Sequence, residues 1–482
     1  MSARPLTLTI AALGGQGGGV VQGWLIRVAE AAGWLVQATS VPGVAQRTGA
    51  TIYYLEFHAR PADGEPVPVM ALMPSPGVCD LVVAAELAEA VRMVDRGIVD
   101  TTVTTLIASS HRAYTIDEKS HLADGRVDSV ELIDAARRHA RALHLLDMDA
   151  IARRHGSVVS AALLGAIAAT GVLPFAVNRF EDAITAEGKG VTASLAAFRE
   201  AYAAVREPGS EAVSAVPAVL PQDGRLRDFP TALHGVLAPA LARLVEYQDE
   251  AYASDFLRRV QPFVSVDAEL AREVARGLAL WMTFEDPIRV AQLKTAPERL
   301  LPLMAAQGNS LAHVTDYLKP RPEEIFGTLP KSVGEWARRT AWVRRVLQPF
   351  TRGQRIRSSS PAGYLFFRAL ARLQPLRRSM LRYAEEWEEI ERWLATLSQF
   401  AATNVALARE VAACHDLVAG YGETREQGLA RFHQLLALAD AWQHRNDAAT
   451  RIARLRRAAL EDADGRPFDD VVRSFETEAE AA

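Results

Sequence analysis

Leu6-Thr7-Leu8-Thr9-Ile10-Ala11-Ala12-Leu13 runs directly into Gly14-Gly15-Gln16-Gly17-Gly18-Gly19, and a helical pattern starts at Gly18. An apolar run, a glycine turn and a helix start form the anion cradle of α/β proteins. Backbone N–H groups and the positive helix end converge there, and missing Cβ atoms let a ligand or another chain come close. The dinucleotide fingerprint is absent, however. It needs G-x-G-x-x-G, whereas Gly15-x-Gly17 leads to Val20 and Gly17-x-Gly19 leads to Gln22. It also wants an acidic residue ending the second strand, where this chain has Gln37-Ala38-Thr39-Ser40. An ordinary NAD site is disfavoured.

Outward from that turn, the first ~205 residues read as α/β. Short apolar runs bounded by Gly, Pro or Asp predict strands over Leu6–Leu13, Trp34–Thr39, Ala50–Phe57, Val67–Leu72, Leu81–Ala84, Thr102–Ile107 and Ala142–Leu146. Helical patterns fall between them, over Gly18–Ala32, Glu86–Arg96, Ser129–Arg141 and Met148–Arg154. This alternation predicts a mostly parallel, Rossmann-like sheet with crossover helices. His111 to Val127, with Asp124-Gly125, reads as a hairpin excursion. Helices over Val158–Thr170, Val177–Glu187 and Val191–Val205 close the domain. The first of these is nearly uncharged, but Gly171 and Pro174 interrupt its Ala/Gly-rich run. It reads as a buried helix rather than a membrane span.

The α/β domain is placed at 1–207. A Pro- and Gly-rich linker follows at 208–230, then a helical domain at 231–482 with a long first helix expected over Leu233–Gln261 and an acidic tail, Glu461 to Ala482, that lacks a clean apolar face and is expected to be partly disordered. The fold class is thus α/β followed by all-α. With 482 residues, two sizeable cores fit, and the formal charge of −4 argues neither for nor against nucleic acid. The only cysteines, Cys79 and Cys414, stand far apart. That excludes a disulfide framework and a four-thiolate metal or iron–sulfur site within this chain, and it suits a reducing, cytoplasmic setting.

Gln46-Arg47-Thr48-Gly49 follows Val41-Pro42-Gly43 and precedes the third strand. A loop at the exit of the second strand shares a sheet edge with the turn after the first, the edge where open sheets meet ligands and partners. Arg47 there could hold a phosphate or carboxylate through its planar fork. It could equally pair with an acidic neighbour and order its own loop.

Ala12-Leu13-Gly14-Gly15-Gln16-Gly17, Pro42-Gly43-Val44-Ala45-Gln46-Arg47-Thr48-Gly49, and Leu163-Leu164-Gly165-Ala166 in a helix occur in that order. Together they resemble the gamma-type module of 2-oxoacid:ferredoxin oxidoreductases, over residues 5–205. Within that family the chain is most similar to the small subunits of indolepyruvate (arylpyruvate) oxidoreductases. The helical half, with Tyr247-Gln248-Asp249-Glu250-Ala251-Tyr252-Ala253 and Tyr421-Gly422-Glu423, resembles the C-terminal extension of long members. Three positions depart from the family pattern. Ala12 stands for a usual glycine, Thr48-Gly49 for a double glycine, and Ser160 for a common asparagine.

The resemblance implies oxidative decarboxylation of a 2-oxoacid with thiamine diphosphate, magnesium, [4Fe–4S] clusters, ferredoxin as acceptor and coenzyme A as cosubstrate. This chain has no Gly-Asp-Gly for a thiamine site and only two thiolates. The resemblance therefore implies a large partner subunit that carries thiamine, magnesium and the clusters, in two heterodimers. Gly14, Gly15, Gln16, Gly17 and Gly18, with Gln46, Arg47 and Thr48, are the candidate cofactor-proximal residues. They would frame an entrance for coenzyme A or the acceptor, while pure subunit packing explains the glycines equally well. No residue is assigned a catalytic or metal-binding role.

From Lys331 to Arg382 there are thirteen Lys or Arg residues and one carboxylate, Glu335. Such a stretch could meet nucleic acid, coenzyme A phosphates or an acidic redox partner. The plainer expectation is intramolecular pairing with Glu385, Glu386, Glu388, Glu389 and Glu391 in the next helix. Two other functions stay open: a stand-alone nucleotide- or acyl-CoA-binding protein, and an adaptor working through these arginines. Neither nucleic acid nor a membrane is the expected partner. Cys414-His415, His144 and His155 read as packed or solvent-facing.

Overall fold

The structure, a computed structural model, describes residues 4–41, 50–207, 223–300, 314–418, 420, 422–461 and 466–480. It divides into two compact units, one of residues 1–120 and 125–219, the other of 121–124 and 220–482.

The first unit is built on a six-stranded sheet: β1 (Leu6–Leu13), β2 (Trp34–Val41), β3 (Ala50–Ala59), β4 (Leu81–Ala84), β5 (Thr105–Ser109) and β6 (Ala142–Leu146). Their order is β2-β3-β1-β4-β5-β6. β1, β4, β5 and β6 pair in parallel, while β3 runs antiparallel to both β1 and β2, so five of six strands point one way. The mostly parallel sheet is as expected, and the reversal of β3 has a simple cause. Only eight residues separate β2 from β3, too few for a parallel crossover.

Helices cover both faces. Leu8, Ile10, Leu55, Phe57 and Val83 pack beneath α1 (Gly18–Ala31) and the late helices α5 (Met148–Arg154), α6 (Val159–Thr170), α7 (Val177–Thr185) and α8 (Val191–Arg206). Ala11, Val82, Ala84, Leu106 and Ala108 face the other way, against α2 (Leu87–Asp95) and α4 (Ser129–His139). This alternation is the period-2 signature of a two-sided sheet. α6 is buried along nine of its twelve residues and ends at Gly171 in the left-handed conformation. Gly165 lets it lie against α8, where a Cβ would stand 2.9 Å from the Phe198 carbonyl carbon and nearer still to its oxygen.

Two expectations in this unit are corrected. The segment around Val67–Leu72 joins no strand, because Pro66, Pro68 and Pro74 deprive it of ladder donors. His111–Val127 forms no hairpin; it holds a short helix, α3 (Ile116–Ser120). Thr115 and Glu118 make reciprocal bonds, Thr115 N–H to Glu118 Oε2 at 2.8 Å and Glu118 N–H to Thr115 Oγ at 3.2 Å. That capping pattern starts a helix where the hairpin was expected.

The second unit is mainly helical, around a core that includes Leu241, Phe256, Leu278, Trp393, Phe400 and Phe432. The long helix expected from Leu233 to Gln261 breaks after Tyr247, and Asp249 caps the next one by accepting from Tyr252 N–H at 2.7 Å. Thr315–Leu318 and Gln354–Arg357 form a small antiparallel ribbon that the all-helical reading missed. The acidic tail does have an apolar face. Arg466–Glu480 is helical, with Phe468 and Phe475 buried in the core. Gly224–Asp228, inside the expected linker, is a 3-10 helix, and Leu226 and Phe229 join the same core. Among the described residues, no helix is long and apolar enough to cross a membrane.

Candidate functional site

β1 and β4 are neighbours, yet the chain leaves them toward opposite faces, β1 into α1 and β4 into α2. Strand order and crossover direction thus place a switch-point crevice at their C-terminal ends, the position where open α/β sheets take ligands. The glycine turn lies there. Gly15 and Gly17 adopt positive φ of 94° and 74°, values an L-residue reaches only at a penalty of about 1–2 kcal/mol. Gln16 closes the turn, its Oε1 accepting from Leu13 N–H at 2.8 Å and its N–H donating to Leu13 O at 3.1 Å. The side-chain oxygen of Gln16 therefore holds the turn and is not free for a ligand.

α1 starts at Gly18 with Gly17 as N-cap, no side-chain cap and no acidic residue in its first turn. α2, α4 and α5 are capped instead by Glu86, Asp128 and Asp147. The uncapped start leaves α1's first N–H groups and its positive pole available to an anion. A Cβ on Gly15 would meet nothing within 4 Å among the described residues, so this position is open. Gly17 and Gly18 differ. A Cβ on Gly17 would stand 3.0 Å from the Cβ and Oγ of Ser160, and one on Gly18 would stand 2.9 Å from Tyr53 Cδ2 and 3.0 Å from Ala12 Cβ. Those two glycines are required by packing.

The structure thus brings Ser160, at the start of α6, against the glycine turn. The Ser160 hydroxyl is fully buried and lacks a hydrogen-bond partner among the described residues. Gln46, Arg47 and Thr48 lie outside the described residues. Their loop is anchored at Val41 and Ala50, and the register Leu13↔Ala50 and Val41↔Ile52 puts both anchors on the edge that carries the glycine turn.

Sequence reasoning missed the other side of the crevice. Glu86 caps α2, accepting from Glu89 N–H at 2.8 Å, from Ala88 N–H at 3.1 Å and, more loosely, from Ala113 N–H at 3.3 Å. Glu89 is buried beside it and paired with Arg92. Burial raises the Glu89 carboxyl to about 7, with the Glu86 charge adding to the rise and Arg92 opposing it. The Glu86-x-x-Glu89 spacing after a strand was the available signal.

Both thiols are enclosed. Burial pushes Cys79 up to about 11 and Cys414 up to about 12, and each lies in a different unit. A thiol held neutral is a poor metal ligand. Among the described residues, no cluster of three or more His, Cys, Asp or Glu is arranged to hold a metal ion.

In the helical unit, the arginine stretch is only partly neutralised. Arg338 meets Glu385 at 2.7 Å and Arg382 meets Glu386 at 2.6 Å, as expected. Arg344, Arg377 and Arg378 turn instead to Glu323, Asp286 and Asp249, at 3.1, 2.7 and 2.8 Å. Among the described residues, no carboxylate pairs with Arg339, Arg345, Arg352, Arg355 or Arg357; Arg355 lies over the Tyr317 ring at 5.1 Å. A cleft of about 330 Å³ nearby is lined by Arg321, Arg338, Arg382 and Arg425 against several glutamates. Glu386 on its wall is held by Arg382, Arg425 and the Trp281 indole.

The first unit is therefore an α/β domain with an anion-receptive helix start at a switch point, joined in one chain to a helical unit. Residues 7–204 match the family model for pyruvate ferredoxin/flavodoxin oxidoreductase, and residues 233–437 match that of a family of unknown function, DUF6537. The match to the oxidoreductase model falls on the α/β unit, and the other falls on the helical unit. No curated protein matches the chain. Similar solved structures include a pyruvate oxidoreductase subunit from Thermotoga maritima, at 16% identity and a TM-score of 0.30, with 42% of this chain and 97% of that one covered. The gamma subunit of a keto/oxoacid ferredoxin oxidoreductase from Geobacter sulfurreducens is similar at 16% identity and a TM-score of 0.29, covering 42% and 98%. A 2-oxoglutarate:ferredoxin oxidoreductase from Magnetococcus marinus is similar at 14% identity and a TM-score of 0.32, covering 42% of this chain but 31% of that one.

Proposed function

We propose that this chain is the non-catalytic partner subunit of a cytoplasmic thiamine- and iron–sulfur-dependent oxidoreductase. The enzyme converts indolepyruvate or other arylpyruvates to the corresponding arylacetyl-CoA and passes electrons to ferredoxin. The observation that carries this reading is the meeting of two separated motifs. The Gly14–Gly18 turn and the start of the Leu163–Ala166 helix touch through Gly17 and Ser160, inside a domain that matches the oxidoreductase family.

Thiamine diphosphate, magnesium and the clusters do not fit this chain's residues. Its two thiols are buried, neutral and in separate units. On this reading thiamine diphosphate, magnesium and the clusters belong to the large subunit of a complex of two heterodimers. Coenzyme A, which supplies the acyl-accepting thiol, suits the crevice better. The space at Gly15 left by the described residues, the uncapped start of α1 and the Ser160 hydroxyl, unpartnered among the described residues, form a setting for phosphate oxygens. Arg47, from the loop anchored on the same edge, would add the counter-charge. The chain binds and orients at this entrance, and the large subunit performs the chemistry.

The test is co-expression. The purified chain alone should be colourless and inactive on arylpyruvates, and with its large subunit it should form a brown, active complex. A lone chain that holds thiamine diphosphate or a cluster and oxidises 2-oxoacids would overturn the proposal.

A further inference from the structure

From Trp336 to Ala384 the sequence contains no Asp or Glu, so each arginine there depends on carboxylates from elsewhere. Arg338, Arg344, Arg377, Arg378 and Arg382 find them, while Arg339 and Arg345 are exposed and meet none among the described residues. Both share a helix face with exposed indoles. The helix Lys331–Arg339 packs through the buried Gly334 and Ala337. Trp336, 54% exposed, and Arg339 stand three residues apart on its outer side. The next helix, Ala341–Leu347, buries no residue at all. Trp342, Arg345 and Val346 share one face of it by their i, i+3, i+4 spacing, with Trp342 60% and Val346 59% exposed. The two indoles meet edge-on, 6.0 Å between centroids, and join the two helix faces into one surface.

The ribbon that follows in the chain has the same chemistry on its outer side. Asp316 is buried and Ile356 packs beside Phe367, whereas Tyr317, Arg355 and Arg357 lie on the opposite side, Arg355 over the Tyr317 ring. Residues 301–313, just before the ribbon, bring no Asp or Glu. Positive charge that the chain leaves unanswered calls for an anionic partner, and the geometry disfavours two kinds. An interfacial helix on a bilayer keeps its apolar and cationic faces apart, but Arg345 shares a face with Trp342 and Val346. A single-stranded nucleic acid stacks its bases on free ring faces. Here the edge-on indole pair covers one such face and Arg355 covers that of Tyr317. Indoles set among arginines are the composition of a protein contact. Permanent subunit contacts are large and apolar, whereas this surface rests on helices of nine and seven residues and is charged. It suits a transient, acidic protein.

We propose that the face formed by Trp336, Arg339, Trp342, Arg345 and Val346 is the docking surface for an acidic electron-carrier protein, the ferredoxin that accepts the electrons of the reaction. It rests on the function proposed above, which requires such an acceptor. The guanidinium groups steer the acidic carrier and the indole pair anchors it.

The experiment compares the assembled enzyme with its R339E/R345E variant. Each is assayed on arylpyruvate and coenzyme A with the ferredoxin of the same organism, and separately with methyl viologen, a small acceptor that needs no protein docking. At low salt the variant's KM for ferredoxin should rise by about tenfold or more, with viologen turnover unchanged, and the wild-type KM should rise with ionic strength. In parallel, hydrogen exchange on the wild-type enzyme should show the amides of 336–346 gaining protection when ferredoxin is added, a readout that does not depend on the variant folding. An unchanged KM for ferredoxin, or no added protection at 336–346, overturns the docking surface and leaves the function intact. An enzyme that never reduces ferredoxin removes the acceptor from the proposed function and this proposal with it. Should the wild type bind a single-stranded oligonucleotide or phosphatidylglycerol vesicles more tightly than ferredoxin, and R339E/R345E lose that binding, the occupant is not a protein and the assignment is overturned.

Discussion

Replacing Gly18 by alanine separates a glycine kept for packing from one kept for a ligand. The new Cβ would run into the Tyr53 ring edge, nearest at Cε2 with Cδ2 at 2.9 Å, and would stand 3.0 Å from Ala12 Cβ. Carbon atoms rest at about 3.5–4.0 Å, so the tyrosine ring must move by roughly an ångström or more. Forcing a methyl into such a contact costs about 1–3 kcal/mol. Alanine's better helix propensity returns up to ~1 kcal/mol. G18A should therefore destabilise the α/β unit by about 1–2 kcal/mol. In a Tyr53→Leu background the ring is gone and the same substitution should be neutral or slightly stabilising, a coupling of about 1–2 kcal/mol between the sites. Urea unfolding of the full chain, with hydrogen exchange on α1 to isolate the α/β transition, measures both. Additive effects in the two backgrounds would refute the packing argument and return Gly18 to the ligand.

Three further outcomes follow from the same geometry. Glu89 titrates near 7 in the folded chain against 4.5 in its ordinary state. The unfolded chain then loses its proton first as pH rises, so stability falls between about pH 4.5 and 7, by up to about 3 kcal/mol in all. E89Q should flatten that window in pH-dependent denaturation, and an unchanged slope would show that Glu89 is not the titrating group. Arg377 is 1% exposed, bonded to Asp286 at 2.7 Å, to Gln248 at 3.1 Å and to the Tyr247 carbonyl, and stacked 3.9 Å from the Tyr247 ring centroid. R377A strands a buried Asp286 and should destabilise the helical unit by about 3–5 kcal/mol, read from its denaturant midpoint. R47A should raise the KM for coenzyme A in the assembled enzyme without lowering the melting temperature, and an unchanged KM would remove Arg47 from the entrance.

Much of the α/β unit was legible because its signals are local. β1, β4 and β6 fall where apolar runs meet Gly, Pro or Asp, and Gly171 stops α6 as its left-handed conformation requires. What misled were patterns in which two signals compete. The Leu233–Gln261 periodicity ran on through Asp249, whose capping role ends one helix and starts another. Thr115 and Glu118 spelled a helix start, and Asp124-Gly125 outweighed them. Phe468 and Phe475, seven residues apart, put one face of the acidic tail into the core, where Phe475 packs edge-on to Trp442 at 5.6 Å. The Thr315–Leu318 ribbon strand is too short and polar to carry any period. At the site, the turn was readable, but Ser160, Tyr53 and Glu86 were not, because their roles depend on which distant segments the sheet brings to one edge.

That distinction bears on how the glycine run should be understood. A ligand loop and a packing loop make opposite demands on the residues beside it, and on the proposed function this turn meets both in sequence order. Gly15, nearest the strand, would bring a Cβ against nothing among the described residues and needs glycine there for its backbone conformation. Gly17 and Gly18, nearest the helix, are closed by Ser160 and Tyr53. The first part of the turn is thus the face offered outward, and the second part fixes α1 to the sheet so that its N-terminus keeps one direction. Substitutions at Gly17 or Gly18 should act through stability and those at Gly15 through whatever approaches the crevice. A glycine-rich motif matched as one string therefore combines positions under two separable structural demands.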